Sequence, residues 1–171
     1  MSAAQAIDGL VARVAAALTA RAATMASAES CTGGLVAAAC TSRAGSSAWF
    51  ERGVVTYSNA AKNELLDVDT ALIARHGAVS AEVARAMVAG MVARSPARFA
   101  VAVTGIAGPD GGTPLKPVGT VWIATDIDGV VESRRLRLIG DRAEVRQRAA
   151  QAVMEMLRRR MLFGTSAIET P

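Results

Sequence analysis

Residues 28–34, Ala28-Glu29-Ser30-Cys31-Thr32-Gly33-Gly34, mark the point at which a strand of this chain turns into a helix. An apolar run over residues 23–28 precedes the turn, and Leu35-Val36-Ala37-Ala38-Ala39, which is typical of a helix, follows it. Such a turn leaves backbone N–H groups free, and Ser30 placed beside them could act as a nucleophile. The alternative is that Ser30 or Thr32 only caps the helix.

Outward from this turn, helices and strands alternate, and a hairpin follows late in the chain. Helices are predicted over residues 3–20, 35–40, 60–66, 70–75, 80–93 and 141–162, and strands over 23–28, 53–57, 99–103, 118–126 and 130–138. Asp128-Gly129 between the last two strands is typical of a type I′ turn. The pattern predicts one α/β domain over residues 1–171, a three-layer α/β/α arrangement with a mixed, largely parallel sheet. Its core is expected over about residues 5–162, with a frayed tail over 163–171.

Bulk composition narrows the class of protein. The chain has 171 residues, of which 51% are apolar, so it can bury a substantial core as a single domain. No apolar run is long enough to span a bilayer, and no secretory signal pattern is present at the N-terminus. Cys31 and Cys40 are isolated and cannot form a disulfide framework. We therefore expect a cytoplasmic protein without a membrane partner.

The formal net charge is +4, and the basic residues are scattered. The densest runs are residues 134–137, on a predicted strand, and residues 158–160, near the end of the last helix. Aromatic side chains do not interleave with either run, so a nucleic-acid surface is poorly supported. Both runs are interpreted as solvated faces.

Lysine is scarce in this chain. Of its nineteen cationic residues only Lys62 and Lys116 are lysines. A lysine can lose its proton when it is desolvated or lies near other positive charge, whereas arginine keeps its proton in proteins. The two lysines are therefore candidates for chemistry, the alternative being a compositional bias toward arginine.

Several familiar catalytic patterns are missing. The single histidine, His76, precedes Gly77 at a predicted helix end, where a histidine often only caps the terminus. With one histidine and no cysteine pair at ligand spacing, neither a zinc site nor a Ser-His-Asp triad is predicted. No glycine-rich loop ends in the Gly-Lys-Ser/Thr pattern of nucleotide-binding P-loops. We therefore expect no metal and no cofactor.

A nucleophilic serine still needs a base, and Lys62 is the best available. Ser30 and Lys62 each follow a strand by about one turn, so neighbouring parallel strands would bring both side chains to the carboxyl edge of the sheet. Tyr57, at the end of the second strand, could relay a proton or orient the lysine. The alternatives are a solvated helix residue for Lys62 and a half-buried strand aromatic for Tyr57.

The third strand delivers Thr104-Gly105-Ile106-Ala107-Gly108 to the same edge. Its backbone N–H groups and the threonine hydroxyl could hold an oxyanion or a phosphate, although glycines also occur in tight loops for their φ angles alone. Arg142 and Arg146 open the last helix, where the dipole disfavours cations. That position suggests an anionic partner such as a substrate phosphate, or a salt bridge to Asp141 or Glu144.

Together these motifs closely resemble the CinA C-terminal domain family, from about residue 5 to residue 162. The resemblance is carried by residues 28–34, 45–47, 56–62, 76–80, 104–112 and 116–121. It implies a metal-independent amidase that converts nicotinamide mononucleotide to nicotinate mononucleotide and ammonia, a step in pyridine nucleotide salvage. A homodimer is the assembly that the resemblance implies.

The resemblance also implies roles for individual residues. Ser30 would be the nucleophile and Lys62 the general base, assisted by Tyr57. The residues implied in substrate binding are Thr32, Gly33, Gly34, Ser47, Thr104, Gly105, Ala107, Gly108 and Arg146. Two other functions stay open: a non-catalytic binding module associated with competence or DNA damage, and an amidase acting on another pyridine nucleotide or a different amide.

Overall fold

A five-stranded sheet lies between two layers of helices in the computed structural model, which describes residues 3–164. The elements in chain order are α1 (Ala3–Ala20), β1 (Met25–Glu29), α2 (Leu35–Thr41), β2 (Phe50–Val55), α3 (Asn59–Leu66), α4 (Thr70–His76), α5 (Ala81–Ala93), β3 (Phe99–Gly105), β4 (Thr120–Ile127), β5 (Val130–Arg137) and α6 (Arg142–Phe163). A single 3₁₀ turn, Ser46–Ala48, precedes β2.

The strand order is β2-β1-β3-β4-β5. The strand β1 pairs in parallel with both β2 and β3, whereas β3 pairs with β4 and β4 with β5 in antiparallel fashion. The predicted mixed sheet is confirmed, although parallel pairing accounts for two of its four ladders. The carboxyl ends of β1, β2 and β3 therefore meet at one edge of the sheet.

Each face of the sheet carries its own core. The helices α1, α2 and α6 cover one face, around a cluster that includes Leu18, Phe99 and Leu157. The helices α3, α4 and α5 cover the other, where the strands present mainly alanine. These small side chains let α5 pack close to the backbone of the sheet. The predicted three-layer α/β/α arrangement is confirmed.

Most predicted boundaries lie within one to three residues of the observed ones. The hairpin turn has positive φ angles at both Asp128 (52°) and Gly129 (86°), as a type I′ turn requires. The last helix runs one residue further than predicted, to Phe163, and is followed by Gly164. The remainder of the predicted tail, residues 165–171, lies outside the described residues.

The two arginine runs differ in their surroundings. Arg134, Arg135 and Arg137 are exposed on the edge strand β5, as predicted for a solvated face. For Arg160 the prediction is wrong, because its side chain is buried between α6 and the β4–β5 hairpin. None of the helices in residues 3–164 is both long enough and apolar enough to cross a bilayer.

Candidate active site

A pocket of about 190 Å³ lies at the edge where the three parallel strands end. Ser30 follows β1, and Lys62 lies in α3 after β2. Thr104 and Gly105 end β3. The lining residues are Ser30, Cys31, Tyr57, Asn59, Lys62, Ala78, Val79, Thr104, Gly105, Ala107 and Arg142. Open α/β sheets bind their ligands at this kind of edge.

The Lys62 amine lies against the Ser30 hydroxyl. The distance from Lys62 Nζ to Ser30 Oγ is 3.1 Å, so the two side chains meet as predicted. Lys62 Nζ also donates to the backbone carbonyls of Thr56, at 2.9 Å, and Tyr57, at 3.4 Å. A neutral amine has two N–H hydrogens and one lone pair. It can therefore donate to both carbonyls while its lone pair faces the serine hydroxyl.

Burial tunes this lysine toward its neutral form. Only 1% of Lys62 is exposed, and desolvation lowers the pKa of its amine below the ordinary lysine value, with the nearby Cys31 group acting weakly in the opposite direction. Among the described residues no carboxylate forms an ion pair with Lys62. The amine can thus serve as a proton acceptor for Ser30.

Local sequence explains why α3 presents this lysine. The Ser58 hydroxyl accepts a hydrogen bond from the Ala61 N–H and caps the helix. Lys62 then lies one turn into α3, and its side chain reaches back to the loop that follows β2. The cap therefore fixes the distance between the amine and the strand end.

Tyr57 does not reach the lysine through its phenol. The side chain is 60% exposed, and its hydroxyl accepts a hydrogen bond from Arg142 at 2.9 Å. Only the backbone carbonyl of Tyr57 contacts Lys62. The strand β2 also ends at Val55, so the interpretation of Tyr57 as a half-buried strand aromatic is wrong.

Arg142 lines the mouth of the pocket from the start of α6. Its guanidinium donates to the Gly108 carbonyl at 2.8 Å as well as to the Tyr57 hydroxyl. The predicted alternative of a salt bridge to Asp141 or Glu144 is wrong, because these two residues form a capping box with each other and Glu144 pairs with Arg148 instead. No carboxylate of the described residues neutralises Arg142.

Arg146, one turn further along α6, supports the site from outside the pocket. It donates to the carbonyls of Cys31, at 3.1 Å, and Thr32, at 2.9 Å. Arg146 therefore ties α6 to the turn that follows Ser30 and does not line the pocket. The substrate contact of Arg146 stays a prediction, whereas Arg142 is the arginine of α6 that lines the pocket.

The glycine turn is held by a buried carboxylate that the sequence did not single out. Glu29, 1% exposed, accepts hydrogen bonds from the N–H groups of Gly34, Val36 and Ala37. The Gly33 N–H donates to the Ser30 carbonyl. The amides of Gly33 and Gly34 are therefore occupied, contrary to the predicted free donors. A glutamate directly before a strand-to-helix turn was the available signal, since carboxylates favour helix N-termini.

The loop after β3 contributes less hydrogen bonding than predicted. The Thr104 hydroxyl donates to the Ala78 carbonyl at 2.9 Å, so its hydrogen is not available to an oxyanion or phosphate. Gly105 pairs with Val121 in the sheet and lines the pocket. Ala107 also lines the pocket, whereas Gly108 lies behind it as an acceptor for Arg142.

Two other candidate residues lie away from this pocket. Ser47 precedes β2 and is exposed at the opposite edge of the sheet from Lys62. The six residues of β2 separate it from the site by roughly 20 Å. Lys116 donates to the His76 carbonyl at 2.7 Å and fastens the end of α4. The His76 imidazole lies 3.4 Å from the Glu82 carboxylate.

Two lining residues come from contacts that the sequence did not reveal. Asn59 opens α3 and borders the pocket, and Val79 enters from the loop between α4 and α5. Short-range patterns carry no signal for the second contact, because the α4–α5 loop is distant in sequence from Ser30. Within the described chain, no three His, Cys, Asp or Glu side chains are grouped so that they could hold a metal ion.

The sequence matches the CinA C-terminal domain family over residues 7–161. A nicotinamide-nucleotide amidohydrolase PncC of Pseudomonas putida is 56% identical over 130 residues, covering 76% of this chain and 81% of that protein. A CinA-like protein of Mycolicibacterium vanbaalenii is 55% identical over 141 residues, 82% of this chain but 33% of that protein. The chain thus spans about a third of the length of the CinA-like proteins that it matches.

Solved structures agree with this assignment of the fold. A CinA superfamily protein from Klebsiella pneumoniae superposes with a TM-score of 0.88 at 39% identity, covering 91% of this chain and 98% of that one. The competence/damage inducible protein CihA from Agrobacterium tumefaciens superposes with a TM-score of 0.87 at 45% identity, covering 89% and 93%.

Proposed function

The chain belongs to the CinA C-terminal domain family, and on that premise we propose that it hydrolyses the carboxamide of nicotinamide mononucleotide to nicotinate mononucleotide and ammonia. The observation that supports this proposal most strongly is the 3.1 Å contact between Lys62 Nζ and Ser30 Oγ inside the pocket. The name of the 56% identical relative from Pseudomonas putida supports the choice of substrate. The reaction would serve pyridine nucleotide salvage.

The first half of the proposed reaction forms an ester on Ser30. Neutral Lys62 takes the hydroxyl proton as Ser30 Oγ attacks the carboxamide carbon. A tetrahedral intermediate forms, in which the former carbonyl oxygen carries the negative charge. The C–N bond then breaks, the Lys62 ammonium gives its proton to the leaving nitrogen, and ammonia departs.

The second half restores the enzyme. A water molecule attacks the nicotinoyl ester, and Lys62 takes one of its protons. The C–O bond to Ser30 breaks, and the proton passes back to Ser30 Oγ. The product is a carboxylic acid, which gives its proton to solvent and leaves as a carboxylate. In each half Lys62 acts first as a base and then as an acid. Its amine must therefore be neutral before the reaction begins.

We propose that Arg142 recognises the phosphate of the substrate. It is a cation at the mouth of the pocket, and it has no carboxylate partner among the described residues. Its guanidinium uses only part of its five N–H donors on Gly108 and Tyr57, so the others can bind a phosphate oxygen. Tyr57 thus assists by orienting Arg142, in place of the predicted contact with the lysine.

Ammonia release tests the proposed catalytic dyad, Ser30 and Lys62. We expect wild-type protein to release ammonia from nicotinamide mononucleotide, and expect Ser30→Ala and Lys62→Arg to lose at least about a thousandfold in kcat, because each removes a partner of the proton transfer. Circular dichroism and thermal unfolding check that both variants fold. Lys116→Arg, which changes the only other lysine, is the matched control and should keep wild-type turnover. Near-normal turnover in either dyad variant would refute the assignment.

A substrate panel tests the phosphate contact. Arg142→Gln should raise KM for nicotinamide mononucleotide about tenfold to a hundredfold, since a charge-assisted bond to phosphate contributes about 1.5–3 kcal/mol. The same variant should leave kcat/KM for nicotinamide riboside, which lacks the phosphate, within about threefold of wild type. An equal loss on both substrates would contradict the phosphate contact and leave the dyad intact.

We further propose a homodimer and a cytoplasmic location, as the resemblance and the isolated cysteines predict. Light scattering coupled to size exclusion should give twice the 17.6 kDa mass of the chain. A monomer mass across the micromolar range would contradict the dimer.

A further inference from the structure

A second cavity lies beside the catalytic pocket, on the same face of the sheet. Its volume is about 310 Å³, against about 190 Å³ for the pocket around Ser30. Thr104, Trp122 and Arg135 are cross-strand neighbours in one row, so their side chains point to the same face. Thr104 lines the catalytic pocket, whereas Trp122 and Arg135 line the second cavity. The second cavity has the volume of a small-molecule site.

The loop between α4 and α5 separates the two cavities. The Thr104 hydroxyl donates to the Ala78 carbonyl of this loop at 2.9 Å. Lys116 Nζ donates to the carbonyl of His76, just before the loop, at 2.7 Å. Val79 lines both cavities. The fastened loop therefore divides this edge of the sheet into two compartments with a common wall.

Two cations line the second cavity, and neither forms an ion pair with a carboxylate of residues 3–164. They are Lys116 and Arg135. The Arg135 guanidinium donates to the Leu115 carbonyl at 3.2 Å, which places it beside the loop that carries Lys116. Each cation uses only part of its N–H donors on a backbone carbonyl, so the remaining donors can bind an anion.

Glu82 is the only carboxylate among the described residues that line this cavity. Its oxygen lies 3.4 Å from the Nδ1 atom of His76, so the carboxylate faces the imidazole. The lining therefore holds two cations against one carboxylate. This excess of positive charge favours an anionic ligand.

Trp122 gives the cavity an aromatic surface. Its ring is half-buried, packing partly against the core under α5, and it lines the cavity. The indole N–H has no acceptor in the described part of the chain, so it is available to a ligand. Leu115, 85% exposed, adds apolar surface at the same cavity. An indole ring can stack on a planar base, and every nucleobase has a face for such stacking.

We propose that this second cavity binds a mononucleotide, with the base against Trp122 and the phosphate between Lys116 and Arg135. The ring and the two cations lie in one compartment, so a ligand that carries both a planar base and a phosphate uses both features. Inorganic phosphate uses only the cations and therefore binds more weakly. This binding site is separate from Ser30 and does not depend on the proposed amidase function.

The tryptophan content of the chain permits a direct test by fluorescence. Only Trp49 and Trp122 are tryptophans. Trp49 is 4% exposed and lies in the core on the other face of the sheet, so a base that stacks in the cavity quenches Trp122. The probes are adenosine monophosphate and inorganic phosphate with the wild-type protein, and nicotinamide mononucleotide with Ser30→Ala, which prevents the proposed turnover.

We expect saturable quenching by a nucleotide, and its loss in Trp122→Phe. Quenching by adenosine monophosphate would indicate a site that accepts a purine base, and quenching by nicotinamide mononucleotide alone a site for a pyridinium base; both results support the proposal. Inorganic phosphate should bind at least about fivefold more weakly than the nucleotide, because it lacks the stacked base. Equilibrium dialysis measures this difference.

A pair of neighbouring arginines tests where the phosphate binds. Arg135→Gln should weaken nucleotide binding about tenfold or more, since it removes a charged donor. Arg134→Gln is the matched control, because Arg134 lines a groove on the opposite face of the sheet, and it should stay within about twofold of wild type. Circular dichroism and thermal unfolding check that all variants fold.

Absence of saturable quenching by either nucleotide at millimolar concentration would overturn the proposal. Equal weakening by Arg134→Gln and Arg135→Gln would also overturn it, because it would show unspecific attraction to the basic strand β5. Neither result bears on ammonia release, which tests the proposed amidase separately.

Discussion

At the scale of single residues, the proposed chemistry depends on what surrounds the Lys62 amine. Lys62 is fully enclosed, and its neighbours are a hydroxyl and two backbone carbonyls. None of these groups carries a charge, and they match a neutral amine whose two N–H hydrogens reach the carbonyls and whose lone pair faces the hydroxyl. Burial therefore lowers the pKa of this lysine and favours its basic form, at the cost of some folding stability.

This cost leads to a prediction about Lys62→Met. Because burial lowers the folded-state pKa of Lys62, the unfolded chain binds more protons than the folded one between the two pKa values. The loss of folding stability caused by the buried amine is largest below the folded-state pKa, and it shrinks as the pH rises toward the ordinary value of 10.5. We expect Lys62→Met to be inactive and about 1 kcal/mol more stable than wild type at neutral pH, with the difference shrinking at pH 10.

Urea unfolding of both proteins at pH 7 and pH 10 measures this difference. Lys116→Met is the control, because Lys116 binds a helix-end carbonyl outside the pocket. A Lys62→Met protein that is less stable than wild type at both pH values would contradict the account of a destabilising buried amine.

The sequence predicted contacts between residues that follow adjacent parallel strands. Ser30 and Lys62 follow β1 and β2, which pair in parallel, so their meeting could be expected from order and spacing. The contact from Arg142 to Tyr57 joins residues 85 positions apart, and it depends on how α6 packs. The partners of Glu29 are backbone N–H groups, so the only sequence signal for its role was its position directly before a strand-to-helix turn.

At the scale of elements, close packing of two helices restricts the sequence at Gly90. A Cβ placed at Gly90 of α5 would lie 2.0 Å from the Leu66 carbonyl oxygen at the end of α3. Backbone atoms cannot move aside as a flexible side chain can. This contact sets how α3, which carries Lys62, lies against α5.

Alanine substitutions at two helical glycines should therefore have opposite effects. We expect Gly90→Ala to destabilise the protein by about 1–3 kcal/mol, the range for overpacking. Gly9→Ala in α1 is the matched control, because a Cβ there meets only Arg13 at 3.7 Å. That change should stabilise the protein by about 0.5–1 kcal/mol through helix propensity. Thermal unfolding of both variants measures the two changes in stability. Equal changes would contradict the packing argument.

The starts of α3, α5 and α6 were predicted to within one residue because their signals are local. The side chains of Ser58, Ser80 and Asp141 each accept a hydrogen bond from the N–H three residues on, at the starts of α3, α5 and α6. Polar residues directly before an apolar helical pattern predict such caps. The strand β1 was predicted over residues 23–28 but runs from Met25 to Glu29. The prediction stopped before Glu29 because a charged residue rarely lies fully buried in a strand, as this one does.

At the scale of the whole molecule, α6 connects the pocket to the antiparallel half of the sheet. Its first turns hold Arg142 at the mouth and Arg146 behind the serine turn. Near its end Arg160 is buried, donating to the carbonyls of Thr125 and Val130 and pairing with Glu132. The predicted layers followed from the alternation of elements, whereas this buried arginine could not be told from its exposed neighbours by sequence.

The proposed chemistry of the molecule depends on whether the Lys62 amine is neutral beside Ser30 at physiological pH. The chain has two lysines, so ¹⁵Nζ labelling of lysine gives two side-chain signals, and Lys62→Arg assigns them. A pH titration followed by NMR should show the Lys62 nitrogen losing its proton at a pH below the ordinary lysine value of 10.5, because burial lowers the pKa of the amine. A Lys62 amine that stays protonated up to pH 10.5 would contradict its role as the base for Ser30.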